Sequence, residues 1–248
     1  MATSFGALCT DFYINQKLAL KMDLPAERET VLHMLDRVRA DLPEMARFRR
    51  FPEELVLESA RQDGRQLWLE LSAQAVRTGV LNPQDPEDAY RLHRMILEVC
   101  PYHLTISPLD VDHLELMYGF DLECKANHNK VVYEALFAGT PLGGLLDVPG
   151  GRVVDLQPMF GVAMGKQCDV HAFFEVKTRT TQGEVRRGRF RTEPISIYLT
   201  LRHTGPLGRV EQLLEWFDEL RKQAEHLTHE KLVPQLLNPI SRAIIGSV

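Results

Sequence analysis

Glu175 and Lys177 stand one residue apart in Phe174-Glu175-Val176-Lys177, and on a strand positions i and i+2 share a face. A carboxylate placed there can hold a divalent metal while the neighbouring ammonium orients or activates a water, if an earlier acidic residue, Asp169 or Asp155, completes the set. A second set mixes carboxylates with imidazole. His113, Glu115, Asp121 and Glu123 fall on one side of one alternating run, and Asp169, His171, Glu175 and Lys177 on one side of another. Were those faces to meet, His113, Glu115, Asp121 and His171 would offer ligands to a divalent metal. A third group is basic: Lys177, Arg179, Arg186, Arg187, Arg189 and Arg191 crowd one short stretch, opposed by Glu184 and Glu193. An arginine row of this kind holds carboxylates or phosphates in bidentate fashion, and it also protects an exposed strand from mispairing.

The triplet Glu175-Val176-Lys177 resembles the E-x-K half of the PD-(D/E)xK nuclease pattern, which would imply a metal-dependent hydrolase with Asp169, Glu175 and Lys177 as its catalytic core. The sequence departs from that pattern in lacking a Pro-Asp dipeptide ahead of the triplet, and the region reads as an antiparallel hairpin rather than a mixed sheet. Other linear signatures are missing. Gly139-Thr140-Pro141-Leu142-Gly143-Gly144 does not end in Gly-Lys-Ser/Thr and contains no G-x-G-x-x-G. Ser107-Pro108 lacks a G-x-S-x-G context, and His226 and His229 lie three apart without the H-E-x-x-H order.

The 248 residues are 44% hydrophobic and 25% charged, a globular composition long enough to bury a core without staples. The net charge of −5 and pI of about 6.0 give no global attraction to nucleic acid or to an anionic membrane, so a basic surface must be local. None of Cys9, Cys100, Cys124 and Cys168 belongs to a C-x-x-C pair, which argues against a zinc ribbon and for small buried hydrophobes. Met1–Thr10 lacks the pattern of a secretory leader and no stretch approaches a membrane span, so the expected location is cytoplasmic.

The elements that must position these groups alternate between strands and helices. Strands are expected over Leu8–Leu20, Leu55–Ala60, Gln66–Ala75, Asp112–Cys124, Gln167–Thr180 and Ile195–Leu201. Asp63-Gly64 marks a hairpin. Thr181-Gln182-Gly183-Glu184 reads as a second turn, with Val185–Thr192 returning, so that the arginines ride on a basic β-hairpin. Another strand, Arg152–Val162, is interrupted near Pro158. Helices are expected from Pro25 to Leu42, Pro86 to Val99, Asn129 to Phe137 and Pro206 to Leu227, with Pro234 and Pro239 breaking the tail. The last helix carries Val210, Leu213, Phe217, Leu220, Ala224 and Leu227 at near-heptad spacing, a stripe that suits the protein's own sheet or a homodimer seam.

These readings combine into an α+β protein whose antiparallel sheet has helices packed on one face. A loose echo of strands and helices suggests two similar halves: an N-terminal half over 1–138, a Gly/Pro-rich connection over 139–151, and a C-terminal half over 152–248 ending in the long helix. The leading expectation is a non-catalytic binding or assembly module. It would present the basic hairpin, with Arg179, Arg186, Arg187, Arg189 and Arg191, and a helix face to an anionic or protein partner, or to a second copy, with no cofactor. The alternative is the metal-dependent hydrolase with a divalent cation.

Overall fold

The computed structural model describes residues 5, 8–25 and 27–247; six of the ten residues of Met1–Thr10, read above for a leader, lie outside them. Nine strands form one antiparallel sheet: β1 (Asp11–Leu20), β2 (Arg47–Arg50), β3 (Glu54–Glu58), β4 (Gln66–Ser72), β5 (Ala75–Leu81), β6 (Val111–Cys124), β7 (Met159–Met164), β8 (Val170–Lys177) and β9 (Glu193–Thr204). Their spatial order is β2-β3-β4-β5-β1-β6-β9-β8-β7. The helices are α1 (Arg28–Asp41), α2 (Pro86–His103), α3 (His128–Leu136), α4 (Pro141–Gly144), α5 (Gln182–Arg187), α6 (Gln212–Leu227) and α7 (Asn238–Gly246). Between α6 and α7, Thr228–Leu237 winds as a π-helix around Pro234, so the tail stays helical where a proline break was expected. The wider turn accommodates a ring that an α-helix would reject.

The echo between halves is a topological repeat. With the short elements β2, α4 and α5 set aside, the first unit runs β1-α1-β3-β4-β5-α2 and the second β6-α3-β7-β8-β9-α6. In each, the first strand pairs with the last of a three-strand meander. By element order the units meet at 104–110, and the Gly/Pro-rich stretch 139–151 lies inside the second unit, between α3 and β7. The units join where β1 pairs with β6, from Asp11↔Asp121 to Leu18↔Leu114, with a register shift at Ala19/Leu20.

Alternation along these strands sorts side chains to two faces. Phe12, Ile14, Leu18, Leu114, Leu116, Tyr118, Phe120, Ile197, Leu199 and Leu201 are buried on the helix side. There α2 covers β1 and β5, and α6 covers β6 and β9. The Tyr90 and Tyr118 hydroxyls bond each other. Arg221 of α6 lies 5.2 Å from the Tyr90 ring and bonds Glu87 at 2.6 Å, locking α2 to α6. The stripe of α6 is consumed in this packing: Leu213, Phe217, Leu220 and Ala224 are all buried against the chain's own sheet, so it is not free to form the dimer seam considered above. His93 is also enclosed, with Nδ1 2.7 Å from the Thr78 hydroxyl, and burial pushes its imidazole down to about 3.

The helix-free face is wet. Here Gly79 lies beneath the Trp68 ring and Gly119 beneath the Tyr13 ring, so that a Cβ at either glycine would strike the ring. These mid-strand glycines are required by close approach rather than by turn geometry.

Two of the expected local structures differ. No hairpin forms over the arginine-rich stretch. Thr181 instead caps α5 in a reciprocal box with Glu184, and Gly188, at φ 66°, closes that helix in the left-handed region. Helix capping thus wins over the turn reading of Thr-Gln-Gly-Glu. Cys168 is exposed, not buried, and sits in the β7–β8 turn at φ 54°. By contrast, Asp63-Gly64 does make the tight turn before β4, both residues at positive φ.

Two measurements probe this core. Leu220→Ala is expected to cost about 2–5 kcal/mol in urea unfolding, because the methyl groups leave a cavity. Because the folded His93 resists protonation, the unfolded chain binds more protons between about pH 6.5 and about pH 3, so stability falls as pH drops through that window. Replacing His93 with Leu should flatten the decline in urea midpoint between about pH 7 and about pH 4.

Candidate functional site

The residues singled out for chemistry are separated by the sheet. Glu175 and Lys177 do share the wet face of β8, Oε1 lying 3.3 Å from Nζ, and Lys177 also sits 5.7 Å from the Tyr198 ring centre. Asp169 precedes β8 by one residue, six positions from Glu175, which is roughly 20 Å along an extended chain. Its carbonyl accepts bonds from Thr204 N and Oγ1 at 2.8 and 3.2 Å. Asp155, outside β7, accepts from Gln157 Nε2 at 2.9 Å. Neither carboxylate joins Glu175.

The acid and histidine set is likewise dispersed. On β6, His113 Nε2 lies 3.4 Å from Glu115 Oε1. His171 is two strands away, beyond Arg202, whose Nε donates to Glu115 at 2.8 Å. Asp121 is six residues further along β6, accepting from Ser196 Oγ. Among the described residues no three His, Cys, Asp or Glu side chains converge in a way that could hold a metal ion. Burial would raise the Glu115 carboxyl, but the hydrogen bonds from His113 and Arg202 and their nearby charges overcome it and hold it at about 2.

The basic segment divides in two. Arg191 is a clip: its N–H and Nε donate to Glu184 Oε1 at 3.2 and 3.1 Å, and its Nη1 lies 3.4 Å from Glu193. The backbone N–H of Thr181 leads the causes that pull the Glu184 carboxyl down to about 2. Arg179 is a second clip, its N–H donating to His128 Nδ1 at 3.0 Å and its guanidinium to the Pro194 carbonyl. Arg186, Arg187 and Arg189 are exposed and make no ion pair among the described residues.

Sequence reasoning missed the other feature, the free edge at β7. The two sheet edges are built differently. β2 is four residues long and carries Arg47, Arg49 and Arg50, a charged, blunted edge. β7 is Met-Phe-Gly-Val-Ala-Met, uncharged throughout and exposed along nearly its whole length. Met159, Phe160 and Val162 are 59%, 50% and 52% exposed. Val176 N–H donates to the Pro158 carbonyl at 3.0 Å. Alternation from that pair turns the main-chain groups of Phe160, Val162 and Met164 toward β8 and those of Met159, Gly161 and Ala163 outward.

Behind this edge, on the helix side, a groove of about 440 Å³ opens between β7–β8 and the π-helix. Phe160, Val162, Met164 and Phe174 form its sheet wall, and Leu227 and Leu236 its helical wall, with Lys231 and Gln235 at the side. Seven of the fourteen large apolar side chains exposed among the described residues lie between Leu142 and Val162. Three of them, Met159, Phe160 and Val162, stand together on β7, which scattered surface hydrophobes do not do. The uncharged run around Pro158 was visible in the sequence, but its position at the end of the sheet was not.

The fold defines an α+β protein with a nine-stranded antiparallel sheet built from two β-α-β-β-β-α units and the added edge strand β2. No protein-family model matches the chain, and no curated protein sequence matches it.

The Glu115 cluster yields a pH prediction. Its folded carboxyl is depressed, so its contribution is present above the ordinary value of 4.5 and is lost as pH falls toward about 2. Thermal unfolding of Glu115→Gln should therefore approach that of wild type at about pH 3 and fall below it at about pH 6.

Proposed function

We propose that this chain is a non-catalytic binding or assembly module whose docking surface is the β7 edge with its apolar groove. The observation that carries the reading is an uncharged edge strand whose side chains are apolar on both faces and whose outward amides and carbonyls have no partner strand. An extended segment added there gains main-chain hydrogen bonds, and its side chains on one face enter the groove, the logic of strand addition. Apolar burial supplies affinity at roughly 25 cal/mol per Å² before ordering costs are subtracted.

Arg186, Arg187 and Arg189, exposed and without an ion pair among the described residues, extend this reading as a secondary contact for acidic side chains of a protein partner. Rim charges of that kind act more on the rate of encounter than on affinity. The separation of Asp169 from Glu175 gives the hydrolase alternative no comparable support.

The test uses a fluorescein-labelled strand-forming peptide that alternates valine and threonine. Fluorescence polarisation with dilute wild-type protein should show saturable binding, with Kd on the order of 10–100 µM, about 5–7 kcal/mol. Val162→Lys, which places a charge at the groove mouth, should weaken it at least ~10-fold. Absence of binding to wild type, or equal binding to the variant, refutes the docking surface.

A further inference from the structure

We infer that the segment that docks on β7 is β7 of a second copy of this chain, making a two-fold dimer with one sheet continuous across both molecules. The inference rests on the docking surface proposed above and names its occupant.

Main-chain geometry restricts how two copies can meet. In an antiparallel pair, directly opposed residues point to the same face. The helix side of one copy therefore continues into the helix side of the other only if even positions oppose even and odd oppose odd. A two-fold axis through Gly161 meets this condition. It opposes Gly161 to Gly161, Met159 to Ala163, and Phe160 to Val162. Because Met159, Gly161 and Ala163 are the residues whose main-chain groups face outward, this register uses all of those groups. An axis through Val162 also keeps the faces aligned, but it leaves the outward groups of Met159 without a partner.

Side chains and charges fit the same register. On the helix side, Phe160 of each copy comes beside Val162 of the other, at the mouths of the two grooves. On the wet side only Met159, Gly161 and Ala163 meet, and no charge opposes a like charge within β7. Beyond the strand, Lys166 follows the C-terminal end and Asp155 precedes the N-terminal end. Antiparallel pairing brings the β7–β8 turn that carries Lys166 in one copy to the end of β7 that Asp155 precedes in the other. The pair forms twice, once on each side of the axis, and Lys166 makes no ion pair among the described residues of its own molecule. The opposite edge, β2, cannot repeat this arrangement, because its arginines would face each other. The result is a closed, isologous interface rather than an open filament.

Analytical ultracentrifugation of the full chain over a wide concentration range tests the inference. Wild type should pass from monomer to dimer, with no higher species. Ala163→Pro removes an outward N–H and no bond to β8, and should weaken dimerisation at least ~10-fold while far-UV circular dichroism stays unchanged. Lys166→Glu should weaken it about 3–10-fold, and adding Asp155→Lys should restore it, since the reversed charges again meet across the axis. If a variant fails to fold, amide hydrogen exchange in wild type reads the same contact: Met159, Gly161 and Ala163 should become protected as concentration rises. A wild-type monomer at every concentration that still binds the valine–threonine peptide overturns self-pairing and leaves the docking surface standing. A monomer that binds no peptide overturns both. A dimer indifferent to Ala163→Pro and to the charge exchange, with exchange at β7 independent of concentration, also overturns self-pairing.

Discussion

The antiparallel pairing of β1 with β6 is the contact on which the rest of the molecule depends. It joins two meanders into one nine-stranded sheet, and it sets which side of every strand faces the helices. A slip of one residue would turn Phe12, Ile14 and Leu18 outward and bring Tyr13, Asn15 and Lys17 into the core. Large buried rings hold the register. Phe12 lies 4.9 Å from Phe120 and 5.8 Å from Tyr118, centre to centre, and Tyr118 bonds Tyr90 of α2. The same pair of strands thus fixes the sheet and seats the helix layer.

Such a sheet has two consequences. Its wet face needs charge neutralisation, which cross-strand pairs provide, Glu70 with Arg77 and Glu115 with Arg202, together with Glu175 and Lys177 two residues apart on β8. Of the groups that suggested chemistry, Glu115, Glu175 and Lys177 are members of these pairs, and the rest are spread across strands about 4.8 Å apart and along them. An open sheet also has two edges. The first unit is extended at its edge by a short basic strand, β2, whereas the second ends in an apolar one beside a groove. The two units share an order of elements and differ at the position where contact with another chain matters.

Much of the architecture was legible because periodicity is local. Asp112–Cys124 alternates strictly and is β6 almost to the residue. Asp85 followed by Pro86 predicts the start of α2, and Asp85 accepts the Glu87 N–H there. Where two local signals competed, the reading failed: Thr181 and Glu184 serve a helix cap as readily as a turn. β5 was not read as a strand of its own, and Gly79 within it is explained only by Asn15 and Trp68 on the neighbouring strands. The π-helix escaped notice because Pro234 ordinarily ends a helix.

By itself, the sequence determined the α+β class, most strand and helix positions, and which face of each strand is apolar, since these follow from side-chain period and capping along the chain. Only the tertiary structure decided that β1 meets β6, that Asp169 and Glu175 stand apart, that the α6 stripe is spent on its own sheet, and that Met159–Met164 forms an edge. Each of these depends on strand order, which is set by packing between residues distant along the chain and leaves no periodic trace within any one segment.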